Sequence, residues 1–527
     1  MTAIPLPTIR ADLLARLAEP RVWDLAVVGG GASGLGVALQ AARLGLSVVL
    51  LDAHDFAQGT SSRSTKLLHG GVRYLAQGHL PLVFEALHER RAVLDAAPHI
   101  ARPLSFVMPA YRWGEQAFYG AGLKVYDLLA GSASLGGTRF LSRNATLHAA
   151  PGVQAEGLRG GVQYWDGQFD DARMALALVR TAAMHGALAI NHVPVTGLID
   201  SEGRVAGVHA RDAETGRDFD VRARCVVNAT GVWVDGLRGM DAKAKGQTVA
   251  PLVRPSQGIH LVVDRSFWPG ESALLVPSTR DGRVLFAVPW LGKVLLGTTD
   301  TPRVEKLLEP FPLKEEVDQI LQESGHYLTR KPSRSDVRSV WAGLRPLVNN
   351  AQHSGGTSRV SREHRIDISE SGLLTVTGGK WTTFRAMATD VLKTGVAAGL
   401  LPELAAHPAP WLPLVGSPQE AVKHLGLSAE PGWHGYGTEA SFVQSMPGGD
   451  SAWLPGLNEA MVRFAARYEY ARTVEDVLSR RSRLLMLDAR LASQWAPRVA
   501  EVLFEETGVP PQLAEFEALT DRYAQCP

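Results

Sequence analysis

The stretch TSSRSTKLLHGGVRYL, Thr60 to Leu75, packs hydroxyls, four potential cations (Arg63, Lys66, His69 and Arg73) and the Gly70-Gly71 pair into one short segment. Such a set suits an anion held by charge-assisted hydrogen bonds. The chain as a whole carries Lys+Arg 54 against Asp+Glu 53, a formal net charge of +1. No global positive field supports nucleic-acid binding, so an anion site here must be local. A second group capable of chemistry lies upstream. Gly29, Gly31 and Gly34 have the G-x-G-x-x-G spacing, and Asp52 follows about twenty residues later. Gly29 permits a tight turn, Gly31 lets a pyrophosphate approach the backbone, and Gly34 allows close helix–strand packing. The helix that follows offers its N-terminal amides to phosphates. Asp52 would accept ribose hydroxyls and repel a 2′-phosphate.

These residues need elements to position them. LAVVGGGASGLGVALQAARLG-LSVVLLDAHD reads as strand, glycine turn, helix and strand, a βαβ unit with a parallel sheet. The pattern then leaves a regular nicotinamide-type repeat. Asp171 to His185 reads as an amphipathic helix, and Ala187 onward as an antiparallel meander ending in the buried strand Cys225–Asn228 and the turn to Gly231. GLLTVTGGKWTTFRAMA, Gly372 to Ala388, runs again from strand through glycine turn to helix. Three separated pieces of one dinucleotide domain, interrupted by β-rich inserts, point to FAD rather than NAD. Between them GIHLVVD, VLFAVPW and KVLLGTTD build a second sheet carrying the substrate. A Pro-rich link near Pro402 leads into helical sequence, in which Thr473 to Asp476 reads as a helix N-cap before VLSRRSRLLML.

At 527 residues the chain has room for two or three structural units. The resulting division is an arm over 1–21 and an oxidoreductase region over 22–400. The FAD-binding pieces are near 22–90, 160–245 and 365–400, the cap near 91–159 and 246–364, and a helical domain covers 401–527. Fold class is α/β (α+β overall), with a Rossmann-type FAD-binding part, a β-rich second sheet and a C-terminal helical domain. Two cysteines, Cys225 and Cys526, give neither a disulfide framework nor metal-ligand spacing. The N-terminal segment has no apolar core and is read as a short helix or arm rather than a secretory signal.

The combination of VVGGGASGLGVA, TSSRSTKLLHGGVRYL, DDARM, VVNATGVWVD, LLGTTD, WAGLRPL, TVTGGKWTTFRAMA and ARTVEDVLSRRSRLLMLDAR resembles the FAD-dependent, quinone-linked aerobic glycerol-3-phosphate dehydrogenases. The match runs in order from about Trp23 to Leu491. It implies a glutathione-reductase-like FAD-binding Rossmann domain with a β-rich substrate cap and a C-terminal helical domain, and oxidation of sn-glycerol 3-phosphate to dihydroxyacetone phosphate, with electrons passing through FAD to quinone in glycerol catabolism.

The resemblance also distributes roles. Arg73 and Tyr74 would contact substrate, Arg73 on the phosphate, a group of nearly two negative charges that suits the arginine fork. Thr60, Ser61 and Ser62 would meet the flavin or pyrophosphate, and Gly231 and Gly379 belong to the other cofactor-binding turns. Lys380, His69 and Arg362 join the substrate pocket. His260 would accept the hydroxyl proton, with His69 its rival, and Arg345 would stabilise the forming alkoxide. Thr298, Thr299 and Asp300 would shape the pocket. Arg63 and Lys66 divide between an anion-binding role and an ordinary solvated face.

Two other enzyme readings keep the fold: a glycerol-3-phosphate oxidase using oxygen, and a sarcosine- or glycine-type amine oxidase. A non-catalytic flavoprotein is a third. Quinone coupling implies a membrane surface, and Trp113, Phe118, Tyr119, Leu123 and Tyr126 form an apolar aromatic stretch suited either to that interface or to the core. The expected location is cytoplasmic, peripheral on the cytoplasmic face of the inner membrane. A homodimer is compatible with this reading, metal is not required, and nucleic acid is not a partner.

Overall fold

The parallel strands form where the chain is apolar on both faces, as a sheet covered by helices requires. In the computed structural model, which describes residues 4–72, 75, 78–279, 284–349, 364–404, 413–418 and 426–527, Val22–Val28 lies between Val48–Leu51 and Asp218–Asn228. All three run parallel. Leu374–Gly378 extends the sheet on one side and Leu188–Ile190 on the other, both parallel to their neighbours. The three sequence fragments thus meet in one sheet.

Leu188–Ile190 was expected to open the meander. Its three side chains are wholly buried, so it joins the parallel interior instead. The antiparallel meander is confined to Val195–Ser201, Arg204–Arg211 and the first half of Asp218–Asn228. Helices Ala32–Arg43, Asp171–Met184 and Phe384–Ala397 pack together over this sheet.

A second, mostly antiparallel sheet is built around Val253–Asp264, which pairs with both Lys293–Gly297 and Ser339–Val348. It continues through Leu285–Trp290 and Ala273–Val276 to Ala101–Ala110 and Gly160–Phe169. Gly160–Phe169, grouped above with the FAD-binding pieces, therefore belongs to the second sheet. So does Leu67–Leu68, paired antiparallel with Gly167 and Gln168. The cation-rich segment consequently crosses from one sheet to the other.

The helix Arg10–Leu17 is the expected arm, and its Arg10 pairs with the buried Asp212. At the other end, Thr473 and Asp476 exchange the hydrogen bonds of a capping box, Asp476 N–H to Thr473 Oγ1 at 3.1 Å and Thr473 N–H to Asp476 Oδ2 at 3.0 Å. VLSRRSRLLML does not continue as one helix. A π-helical turn covers Asp476–Arg481, Arg483 is left-handed at φ 66°, and a short helix covers Leu484–Leu487. Arg480, Arg481 and Arg483 are all buried. Arg480 and Arg481 pair with Asp55 and Arg483 with Asp171, so the turn faces the FAD-binding side rather than solvent.

The aromatic stretch divides. On the helix Glu115–Ala130, Leu123 and Tyr126 are core, whereas Trp113 just before it and Phe118, Val125 and Leu128 on its outer side are exposed, beside exposed Phe140. Among the described residues no helix is long and apolar enough to cross a membrane.

Candidate active site

The glycine turn sits where the parallel strands end. Gly29 adopts φ 105°, and a Cβ there would come within 2.7 Å of the Ala229 carbonyl; one on Gly34 would come within 1.9 Å of the Gly29 carbonyl. These positions are dictated by close backbone approach. The amides of the Ala32–Arg43 helix open beside them, although Ser61 Oγ already accepts the Ala32 N–H at 3.0 Å. Asp52 accepts from Gly30 N–H and His54 N–H, and burial raises its carboxyl to about 6.

A cavity runs from this turn to the second sheet. Its lining includes Gly31, Thr60, Ser61 and Gly231 together with His69, His260, Arg345, Gly379 and Lys380. Contacts between the fragments close its walls. Thr60 Oγ1 donates to the Leu344 carbonyl at 2.6 Å, His69 N–H to Thr382 Oγ1 at 3.2 Å, and Trp381 Nε1 to the Ser61 carbonyl at 2.8 Å.

The cations of the opening stretch have a different fate from the one expected. Neither Arg63 nor Lys66 lies on a solvated face. Arg63 is held by Glu309 and the Leu308 carbonyl, and Lys66 Nζ donates to Asp171 Oδ2 at 2.7 Å and the Ser62 carbonyl at 2.6 Å. Their charges are consumed by internal carboxylates. Ser62, expected at the cofactor, is buried and does not line the cavity; its carbonyl serves Lys66 and Arg483. Arg73, Tyr74 and Arg362 lie outside the described residues.

His260 faces Gly297 on one neighbouring strand and Trp341 on the other. Its imidazole stacks on the Trp341 indole with centroids 4.3 Å apart, and Nε2 hydrogen-bonds with Thr65 Oγ1 at 3.0 Å. Nδ1 is buried with no hydrogen-bond partner among the described residues. Burial first, then the charges of Lys66 and Arg345, hold the imidazole well below its ordinary pKa. It is therefore neutral at physiological pH and able to accept a proton.

Arg345 lies across Gly258, donating to Thr298 Oγ1 at 2.9 Å and to the Gln257 carbonyl at 3.3 Å, with Asp300 at 3.5 Å. Asp300 in turn accepts from Ser256. Lys380 begins the turn into the Phe384–Ala397 helix, preceded by Gly378 and Gly379 in left-handed conformations. The arrangement suits an anionic substrate whose reacting end faces a neutral base. Glycines at the turns, helix amides, and an orphaned imidazole nitrogen in the same cavity fit a flavin dinucleotide beside that substrate.

Sequence reasoning missed Thr65, Gly258, Trp341 and Thr382, and gave Lys66 no place behind His260. The only local signal was their presence inside motifs already singled out; their partners lie far along the chain.

Comparison with known proteins agrees with this geometry. A model of FAD dependent oxidoreductases matches residues 24–385, and one described as the C-terminal domain of alpha-glycerophosphate oxidase matches residues 382–512. The mitochondrial glycerol-3-phosphate dehydrogenase of Homo sapiens is 39% identical over 95% of this chain and 72% of its own length. The mitochondrial glycerol-3-phosphate dehydrogenase of Arabidopsis thaliana is 38% identical over 96% and 86%. The crystal structure of glycerol-3-phosphate dehydrogenase from Bacillus halodurans complexed with FAD superposes with a TM-score of 0.75 at 27% identity, covering 98% of each chain. The L-alpha-glycerophosphate oxidase of Mycoplasma pneumoniae shares the fold, with a TM-score of 0.56 over 74% of this chain and 97% of that one, at 17% identity.

Proposed function

Because this chain belongs to the FAD-dependent glycerol-3-phosphate dehydrogenases, we propose that its cavity oxidises the secondary alcohol of sn-glycerol 3-phosphate to dihydroxyacetone phosphate and that the electrons pass on to a quinone. The observation that carries the assignment is the convergence of a buried neutral imidazole, His260, with the cations Arg345 and Lys380 in one cavity that begins at a dinucleotide-binding turn.

The Gly29–Gly34 turn, Asp52, Gly231 and Gly379 hold FAD, which when bound supplies the acceptor for the hydride leaving the alcohol carbon. His260 takes the hydroxyl proton, which its depressed pKa leaves it free to accept at neutral pH. Arg345, fixed by Thr298 and the Gln257 carbonyl, stabilises the developing alkoxide. Lys380 and His69, with Arg73, Tyr74 and Arg362 at their motif positions, bind the phosphate end. A sarcosine or glycine substrate would offer these cations a single carboxylate charge in place of the nearly two negative charges of a phosphate.

Support for a membrane-bound acceptor comes from the exposed face formed by Trp113, Phe118, Leu128 and Phe140. Exposed aromatic and leucine side chains on and beside one helix suit an interfacial surface. The enzyme meets the cytoplasmic face of the inner membrane through it.

The test is anaerobic addition of sn-glycerol 3-phosphate to the purified, flavin-loaded protein. Bleaching of the visible flavin spectrum by the ester and not by glycerol is expected, and a loaded, folded protein that stays oxidised refutes the assignment. Re-oxidation by a short-chain ubiquinone, against oxygen with release of hydrogen peroxide, separates dehydrogenase from oxidase.

A further inference from the structure

A lysine stands behind the candidate base, and the reaction described above does not use it. Lys66 is fully buried, and its backbone is left-handed at φ 64°. A side chain with a Cβ resists that conformation, and an ammonium resists leaving water. Both persist only where the surroundings over-determine them, which is common beside reacting groups. Here Asp171 and the Ser62 carbonyl grip Nζ, while Arg483 from the C-terminal helical region grips the other oxygen of Asp171 at 2.9 Å. The ammonium is anchored from two parts of the fold.

Two contacts link that ammonium to His260. Nζ lies 4.7 Å from the centroid of the Trp341 indole, the ring on which His260 stacks. A cation at this distance is attracted to the π face and restrains the ring. The residue before Lys66 is Thr65, whose hydroxyl holds His260 Nε2 at 3.0 Å. The unusual backbone at Lys66 therefore sets the direction of the chain directly after that hydroxyl.

We propose that Lys66 is a positioning residue for the oxidation: through Trp341 and Thr65 it orients His260, and it sets a positive charge behind the Trp341 indole on which that imidazole stacks. The proposal rests on the reading of His260 as the base. It also gives the C-terminal region a part in the site, because Arg483 and Lys66 share one carboxylate.

The charges facing Lys66 are Asp171 and Asp170 at the start of the Asp171–Met184 helix and Arg483; those bearing on His260 are Lys66 and Arg345. Burial brings the Lys66 ammonium down to about 7 against the pull of Asp171. Below that pH Lys66 is charged, in the range where His260 would otherwise gain a proton.

The experiment is the pH dependence of kcat/KM for sn-glycerol 3-phosphate in the FAD-loaded wild type, Lys66→Met, Lys66→Arg and His260→Asn. Removing the charge is expected to move the acid limb upward by about one pH unit, while Lys66→Arg keeps it with the wild type. The same shift is expected in the imidazole ¹⁵N resonances of His260 in histidine-labelled protein, identified by their loss in His260→Asn. If Lys66→Met does not fold, Lys66→Gln, which removes the charge, keeps an N–H donor at that place and leaves the Arg483–Asp171 pair intact, carries the same two readouts. A structural lysine would lower melting temperature or plateau rate and leave the limb and resonances unmoved; that result overturns the proposal. Failure of the underlying reading appears separately, as a His260→Asn enzyme with wild-type rate and profile.

Discussion

A single methyl group at Gly258 should disable Arg345 without touching its charge. The guanidinium crosses the backbone of Gly258, and a Cβ there would stand 2.2 Å from Nη2, 2.6 Å from Cζ and 2.7 Å from Nη1. Gly258 is not among the residues of positive φ, so Gly258→Ala adds volume and no backbone strain. To reach ordinary van der Waals contact the guanidinium must retreat by roughly 1 Å, which breaks its bonds to Thr298 Oγ1 and the Gln257 carbonyl. Misplacement on that scale costs about 10²-fold, or ~2.7 kcal/mol of transition-state stabilisation. The displaced atoms are the far end of a flexible side chain, so folding stability should change by no more than about 1 kcal/mol. Stopped-flow reduction of the bound flavin by sn-glycerol 3-phosphate measures the first quantity, and thermal melting with flavin content measures the second. Adding Arg345→Ala to Gly258→Ala should cost much less than Arg345→Ala costs in the wild type, since the two changes remove one interaction. Wild-type kcat/KM in Gly258→Ala, with fold and flavin intact, would refute the role given to Arg345.

His260→Asn should lower kcat by about 10²- to 10⁴-fold. Because a base works unprotonated and His260 is held below its ordinary value, the wild-type acid limb should lie below pH 6.5 and vanish in the variant; a limb that survives assigns it to another group. Tyr126 Oη accepts the Gly70 N–H at 2.8 Å and donates to Asp166 Oδ2 at 2.8 Å. Tyr126→Phe therefore leaves a buried amide unpaired and should cost about 1–3 kcal/mol in chemical denaturation, with lost activity because that amide follows His69. His192 is raised by Asp476 despite burial, so the stabilisation from its protonation is fully present below the unfolded value near 6.5 and disappears as pH rises through the folded value. Urea melts of His192→Gln and wild type should differ more at pH 6 than at pH 9, and equal differences at both would count against the pair.

Much of the cofactor-binding unit was legible because its determinants are local. The glycines at 29, 31 and 34, the apolar runs on either side and Asp52 all fall within one βαβ unit, where spacing alone dictates backbone approach. The second sheet could be read from the short apolar, valine-rich runs GIHLVVD, VLFAVPW and KVLLGTTD. Charge was harder to read. Arg63 and Lys66 look like His69 and Arg73 in sequence, yet they are paired with Glu309 and Asp171, and no local pattern announces an ion pair whose partner lies on another element. The same limit applied to VLSRRSRLLML, where helical spacing concealed three arginines turned toward buried acids.

By itself, then, the sequence determined the dinucleotide turn, the two-sheet architecture and the kinds of residue that serve an anionic alcohol, since these depend on neighbours in the chain and on motifs kept whole. Only the tertiary structure decided which cations remain at the cavity, that Gly258 makes room for Arg345, and that His260 is stacked on Trp341 with Lys66 beside that indole. Charges and packed rings act on whatever folding brings within a few ångströms, and that proximity is set by the crossing of the two sheets rather than by position along the chain.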